Sequence, residues 1–330
     1  MNLFEEFKAH SFDQWKAVVE KELKGKPFED YLVHADKVEG LTYSKFANRR
    51  RENNDSPNYQ RASTTANNNW CINQVVEVRD EKVGNAEALR LLNMGVDSIT
   101  YLLLKDNLDW AVLFKDIHLD HIETQFKTKD KVQTHHLKSE WANFCSKKLI
   151  LLNFEEDPTS VDGVETSISS YGVNQIGGNA VHEITYALSA GHEALVKMLD
   201  KGMSVDDASL KIRFEFGIGS QYYVEICKFR VFRKLWANII SAYAPSKNSS
   251  HQAYIYARSG FVNKSLKDPY TNFLRQTTEA VSAVVGGVDE LNIQPYDLYT
   301  ETGTSELSQR MAINISHMLK EESYLDKVVD

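Results

Sequence analysis

Cysteine is scarce: Cys71, Cys145 and Cys227 are the only three in 330 residues. They are odd in number and far apart, which excludes a disulfide framework and a Cys-x-x-Cys metal site. A reducing compartment is expected. No stretch approaches the roughly 18 consecutive apolar residues of a membrane helix, and residues 1–10 carry Glu5 and Glu6 where a signal peptide would be apolar. The expectation is a soluble, cytoplasmic protein with no membrane partner. A long basic stripe is missing too. Lys and Arg number 38 against 46 Asp and Glu, giving a net charge of −8, so nucleic acid is not an expected partner. No Gly-x-Ser-x-Gly elbow follows a candidate strand, which leaves nucleophilic hydrolysis without an anchor.

What is present is enough apolar sequence, 42%, to bury a full core, with one large domain plus an extension as the expectation. Residues 11–29 have helical spacing, with Phe12, Trp15, Val18, Val19 and Leu23 on one face and Ser11 or Asp13 as the cap. Residues 31–69 read as polar and irregular, with a loop at Asn53–Pro57 and a turn-prone cluster at Asn67, Asn68 and Asn69. The division expected is an arm over 1–69 and a barrel over 70–330.

From Trp70 onward, short β-rich runs alternate with helical periods, the pattern of βα units around a parallel sheet. Candidate strands are 72–77, 98–104, 122–127, 149–154, 166–171, 212–216, 253–257 and 291–294, and the clearest helices are 179–199, 221–243, 269–285 and 305–322. Eight strands favour an α/β fold of the closed (β/α)8, TIM-type kind over an open sheet, although only eleven residues separate the fourth and fifth candidates. Gly202, Pro245 and Pro269 give chemical causes for the helix boundaries.

Few constellations suggest chemistry. Asp116, His118 and His121 could form a metal cluster, or a near match to the Asp-x-His-x-x-Gly signature of a lower cobalt ligand, but His121 stands where the glycine belongs. A polar loop or helix face is the preferred reading. Gly217-Ile218-Gly219-Ser220 could hold a phosphate between strand and helix, yet Tyr222 replaces the third glycine of a dinucleotide fingerprint. Tight strand-to-helix packing explains it better. His182 and His192 lie ten residues apart on one helix, nearly opposite in angle, and Arg49-Arg50-Arg51 reads as a solvated turn.

The run Phe214-Glu215-Phe216-Gly217-Ile218-Gly219-Ser220-Gln221-Tyr222-Tyr223, continuing to Ala237, resembles the sixth βα unit of the methylmalonyl-CoA mutase family. Ala257-Arg258-Ser259-Gly260, Lys267-Asp268-Pro269-Tyr270-Thr271-Asn272 and Arg275-Gln276-Thr277-Thr278-Glu279-Ala280 are similar to its next unit. Gly286-Gly287 to Leu291 leads into a strand like its eighth. Trp15, Leu23-Lys24-Gly25 and Glu39-Gly40 resemble the family's amino-terminal arm. The resemblance implies a barrel whose active versions thread coenzyme A along the axis and use adenosylcobalamin, held by a carboxy-terminal domain, to rearrange methylmalonyl-CoA and succinyl-CoA.

The departures imply a small, non-catalytic subunit. Ser169-Ser170-Tyr171 matches a strand that ends, in active subunits, in a catalytic histidine, and Gly172 stands there instead. Thr65 and Asn73 occupy two further positions where the active pattern has tyrosine and arginine. No catalytic, cofactor-binding or metal residue is therefore expected in this chain. Bulky Phe214, Phe216, Tyr254 and Tyr256 suggest a filled axis, since alternation points one set inward. No cobalamin domain is expected before Asp330, where a truncated piece or a divergent short form would end. The expected partner is a large catalytic subunit carrying adenosylcobalamin, contacted by the arm, with a homodimer when that partner is absent. The alternative is a self-sufficient enzyme: a mutase using a separate cobalamin protein, or a metal enzyme using Asp116, His118 and His121.

Overall fold

The computed structural model describes residues 10–44, 67–128, 131–145, 149–151 and 164–327. The chain divides into two compact units, residues 1–55 and 56–330. In the first, Ser11 caps a helix at Phe12–Glu22 through a reciprocal box with Gln14. Phe12, Trp15 and Phe28 pack in series, tilted and then edge-on, with ring centroids 5.5 and 6.1 Å apart.

The helix does not reach residue 29. Lys24 and Gly25 both take positive φ, which ends it, and a second short helix follows at Phe28–Leu32. Nor are residues 33–44 irregular: Val33–Asp36 and Leu41–Ser44 pair as an antiparallel hairpin. Asp36 closes its turn by accepting from the N–H groups of Val38 and Glu39 at 2.9 and 3.1 Å. Arg49, Arg50, Arg51, the Asn53–Pro57 loop and Thr65 lie outside the described residues.

The second unit contains β1 Cys71–Val78, β2 Ser98–Leu103, β3 Glu123–Lys127, β4 Leu149–Leu151, β5 Val164–Ser169, β6 Ile212–Ile218, β7 Tyr254–Ser259 and β8 Glu290–Asn292. All pair in parallel, each with the next, and β8 pairs with β1 to close the barrel. Every strand read from the sequence is present. The fourth and fifth are barrel neighbours despite their short connection, which lies outside the described residues together with 152–154. The fifth ends at Ser169, not Tyr171, because Tyr171 already opens a helical turn, Tyr171–Gln175.

The long helices are α1 Glu81–Asn93, α2 Lys131–Phe144, α3 Ala180–Asp200, α4 Tyr222–Ser241, α5 Pro269–Gly286 and α6 Glu306–His317. Their ends follow from local chemistry. Asp80, Asn179 and Ser305 cap α1, α3 and α6 with side-chain oxygens, and Pro269 sits in the first turn of α5. Gly202 and Gly287 take φ of 86° and 84° just past α3 and α5, a conformation that costs a residue with Cβ. The last helix stops at His317 and tightens into a π turn, Met318–Glu322, so the reading to 322 merged two elements. Asn68 is no surface turn: it is buried, and its amide donates to the carbonyls of Val284 and Leu325.

Phe214 and Phe216 point outward from β6 toward α4. Phe214 meets Phe232 and Trp236 at 4.7 and 4.8 Å, and Phe216 meets Phe232 at 4.8 Å. Phe232 is the ring that both strand aromatics share, and it is fully buried. Phe232→Ala should cost about 3–5 kcal/mol of stability in urea denaturation, whereas Phe261→Ala, at an exposed loop, should change it by less than about 1 kcal/mol.

Candidate functional site

Strand alternation places Asn73, Thr100, Gln125, Arg213, Glu215, Tyr254, Tyr256, Arg258, Glu290 and Asn292 on the axial face of the barrel, opposite the outward Ile72, Phe214, Ile255 and Leu291. These axial side chains bond to one another. The Glu290 carboxylate accepts from Asn73 Nδ2 at 2.8 Å, Ser98 Oγ at 2.5 Å, Gln125 Nε2 at 2.5 Å and the Tyr254 hydroxyl at 3.2 Å. Asn73 Oδ1 in turn accepts from the Tyr256 hydroxyl and Asn292 Nδ2, each at 3.1 Å. Asn73, Gln125 and Glu290 have no solvent exposure, and Tyr256 and Asn292 have 2% each. The axis is filled at this level, and by Tyr254 and Tyr256 rather than Phe214 and Phe216.

Burial lifts the Glu290 carboxyl above its ordinary pKa, against the bonds from Ser98 and Gln125 that favour its charged form. Arg213 stacks over the Tyr254 ring at 4.0 Å and lies 3.7 Å from Glu123. Burial and then the Glu290 charge push the Cys71 thiol up to about 12, so it is no nucleophile at neutral pH. Asn73, one of the positions where the family resemblance had lost a functional group, is thus held in a structural network with both amide atoms engaged.

The C-terminal ends of the strands form the mouth where barrel enzymes place their catalytic groups. Gly172 lies there, in the turn after β5, exposed. A Cβ added to it would meet nothing within 4 Å. Next to it the Arg258 guanidinium packs 4.7 Å from the centre of the Tyr171 ring.

Behind β6, outside the axis, lies a second buried polar cluster. Lys228 Nζ is 2.9 Å from Glu183 Oε1, 2.6 Å from Glu225 Oε2 and 2.8 Å from the Gly217 carbonyl. The Glu225 contact is an ion pair rather than a well-aligned hydrogen bond, since its Oε2 makes none. Glu183 also accepts from the Gly217 N–H at 3.0 Å and from Asn174 at 3.0 Å. Burial opposes charge on Lys228, but Glu183 and Glu225 outweigh it and hold the ammonium above its ordinary pKa; burial raises Glu183. Gly217 is required here for space: a Cβ would come within 2.6 Å of three Asn174 side-chain atoms. The glycine pair packs strand against helix, and its N–H is taken by Glu183.

The remaining candidates stay apart. Asp116, His118 and His121 lie in the segment leading to the N-terminal end of β3, with the two imidazoles 6.1 Å apart and the side chains exposed. Among the described residues, no three His, Cys, Asp or Glu side chains are placed to hold a metal ion. His182 and His192 are both exposed, His192 bonded to the Tyr243 hydroxyl at 2.6 Å. Among the described residues, no helix is long and apolar enough to cross a membrane. Glu290, Arg258 and Lys228 were not singled out from the sequence. The nearest strand signal is the pair of charges at alternate positions in Arg213-x-Glu215, while Lys228 lies on α4 and Glu290 in a strand of three residues.

Fold and interior together define a (β/α)8 barrel with a polar, self-bonded axis and an open C-terminal mouth. The chain belongs to the methylmalonyl-CoA mutase family, whose profile matches residues 158–330, just over half its length. It is 32% identical over 371 aligned residues to a methylmalonyl-CoA mutase small subunit from Porphyromonas gingivalis, covering 99% of this chain and 60% of that protein. It is 37% identical over 164 residues to a methylmalonyl-CoA mutase from Cereibacter sphaeroides, covering 50% of this chain and 23% of the relative. The chain therefore spans no more than about 60% of these relatives' length. A solved dihydropteroate synthase from Thermus thermophilus is similar at TM-score 0.42 and 12% identity, over 76% of this chain and 95% of its own.

Two outcomes test this geometry. Because the folded pKa of Glu290 is raised, the folded state holds its proton more tightly than the unfolded state, and stability falls as pH rises through that pKa. Glu290→Gln should flatten the decline of urea midpoints above about pH 4.5; curves parallel to the parent protein would refute the assignment. Gly172→His should be tolerated within about 0.5 kcal/mol, measured by the same denaturation, because the space is free and the position is helical.

Proposed function

We propose that this chain is part of a small, non-catalytic subunit that pairs with a large subunit in an adenosylcobalamin-dependent methylmalonyl-CoA mutase. The observation that carries the reading is the filled axis. An active barrel of this family is expected to pass coenzyme A along that line, and here Tyr256, Asn73, Glu290 and Asn292 occupy it in a closed set of hydrogen bonds. Opening it would leave several buried polar groups unpaired, each at a cost of about 1–3 kcal/mol. Gly172 adds a second argument, since it offers no side chain where a catalytic group would hold a thioester.

The described residues do not fit adenosylcobalamin. Asp116 and His118 sit at the N-terminal side of a barrel strand, with His121 in place of the glycine that the cobalt-ligand signature needs, and the fold around them is the barrel itself. In this proposal the cofactor and the chemistry belong to the large subunit, and this chain stabilises it. A metal enzyme built on Asp116, His118 and His121 gains nothing from their exposed, separated placement.

The arm, residues 1–69, is assigned to the partner contact. Its first helix buries no residue, and Val18, Tyr31, Leu41 and Tyr43 are 44–58% exposed. Such apolar surface on a small unit favours association, with a large subunit in a cytoplasmic complex or with a second copy when the chain is alone. Co-expression with a large mutase subunit tests this. The pair should co-elute and turn over methylmalonyl-CoA, the isolated chain should not, and deletion of residues 1–44 should abolish co-elution. Turnover by the isolated chain would refute the reading.

A further inference from the structure

Arg258 is the third axial residue of β7, level with Gly217 on β6, where the Asn174 side chain packs in place of a Cβ. One face of its guanidinium packs on Tyr171. With the Gln294 amide turned so that all its atoms are satisfied, Gln294 accepts from Arg258 Nε and Nη2 at 2.9 and 2.7 Å. The same amide then donates to the Tyr299 hydroxyl at 2.9 Å and the Ser259 carbonyl at 3.1 Å. The guanidinium is thereby fixed along one edge while Nη1 keeps no hydrogen-bond partner among the described residues.

No carboxylate pairs with it. Glu215 is axial on the neighbouring strand but lies one inward position lower, and it forms no ion pair with Arg258 among the described residues. Across the barrel, Lys127 ends β3 on the same axial face, also without an ion-pair partner there. A largely enclosed arginine whose direct contacts are all neutral is unusual, because burying a charge is costly unless it is closely paired, and Glu215 acts on it only at longer range. Its rigid, open edge is the geometry that receives two oxygens of one anion.

We propose that the C-terminal mouth of this barrel binds a small oxyanion, a carboxylate or a phosphate, on the Arg258 guanidinium. Tyr171 and Gln294 hold the fork in place, and Lys127 adds positive charge from the opposite wall. The ligand must be short, because Tyr256 and Asn73 close the axis beneath it; on this point alone the proposal rests on the filled-axis reading above. The site accepts an anionic head and has no room for a long tail.

Calorimetric titration of the full chain with inorganic phosphate and with acetate, in a buffer free of other oxyanions, tests it. Saturable binding at one site is expected for at least one probe, weakened about tenfold or more in Arg258→Met and within twofold of the parent in Arg79→Met, at the exposed rim. If Arg258→Met fails to fold by circular dichroism, Arg258→Lys decides, since it keeps the charge and loses the fork. Its affinity should fall several-fold. No saturation by either probe up to about 50 mM, or unchanged affinity in the variant that folds, overturns the proposal. Pantetheine, a tail without a charge, is titrated in parallel: its binding would overturn the filled axis and leave the anion site standing.

Discussion

The barrel closes on a carboxylate. Strand β8 is three residues long and pairs with β1 through only Glu290↔Cys71 and Leu291↔Ile72, so the backbone ladder at the seam is short. Glu290 supplies what the ladder lacks. Its two oxygens gather donors from β1, β2, β3 and β7, tying both sides of the seam to one buried point. Such a group must be satisfied on every lone pair or it destabilises the core it sits in. Asn73, Tyr256 and Asn292 are in turn fixed by each other. A barrel closed in this way cannot also be open along its axis.

That constraint separates two layers that the family motif runs together. In the stretch from Phe214 to Ala237, alternate residues of β6 serve different masters. Phe214 and Phe216 bind the strand to α4 through Phe232, Phe229 and Trp236, while Gly217 and Gly219 let Asn174 and Glu225 approach. Glu183 and Lys228 then hold the Gly217 peptide by both its N–H and its carbonyl. A buried triad of this kind is weak evidence for stability in itself, because desolvation offsets much of the attraction. Its geometric effect is definite: it fixes where β6 ends and where the turn bearing Gly172 begins. The most recognisable motif in the chain is therefore a packing device, and its retention says nothing about catalysis.

The same distinction explains how far the sequence could be read. Eight strands, their parallel order and four of the six long helices, all but α1 and α2, were legible, because period-2 and period-3.6 patterns and residues such as Gly202 and Pro269 act locally. The filled axis was legible in Tyr254 and Tyr256 but not in the two phenylalanines named with them. Phe214 and Phe216 look like plugs from composition, yet they point outward, because the inward positions on β6 hold Arg213, Glu215 and Gly217. The Glu290 network was not legible at all. Asn73 and Glu290 lie 217 residues apart, and a glutamate in a three-residue strand carries no local sign that four donors await it. Residues 33–44 were misread for a related reason: the hairpin's two strands are only four residues long, so the alternation in Val33-His34-Ala35-Asp36 and Leu41-Thr42-Tyr43-Ser44 is too brief to stand out.

The polarity of the axis has a further consequence for how a barrel can lose one function and keep its fold. Axial residues near the N-terminal ends of the strands, from Glu290 to Tyr256, are hydrogen-bonded across neighbouring strands, so each depends on the rest. Groups at the C-terminal ends are different. A Cβ on Gly172 would meet nothing within 4 Å, Tyr171 stays protonated because burial raises its pKa, and the direct contacts of Arg258 are with neutral groups. Substitutions at the mouth leave the ladder and the Glu290 set intact, while substitutions in the middle of the axis do not. A catalytic residue can therefore disappear from this fold at almost no cost in stability, but the space for a threaded ligand disappears only when several strands change together. On the proposed non-catalytic reading, Gly172 would be the easily reversed part of such a loss, and the bonded axis the part that holds.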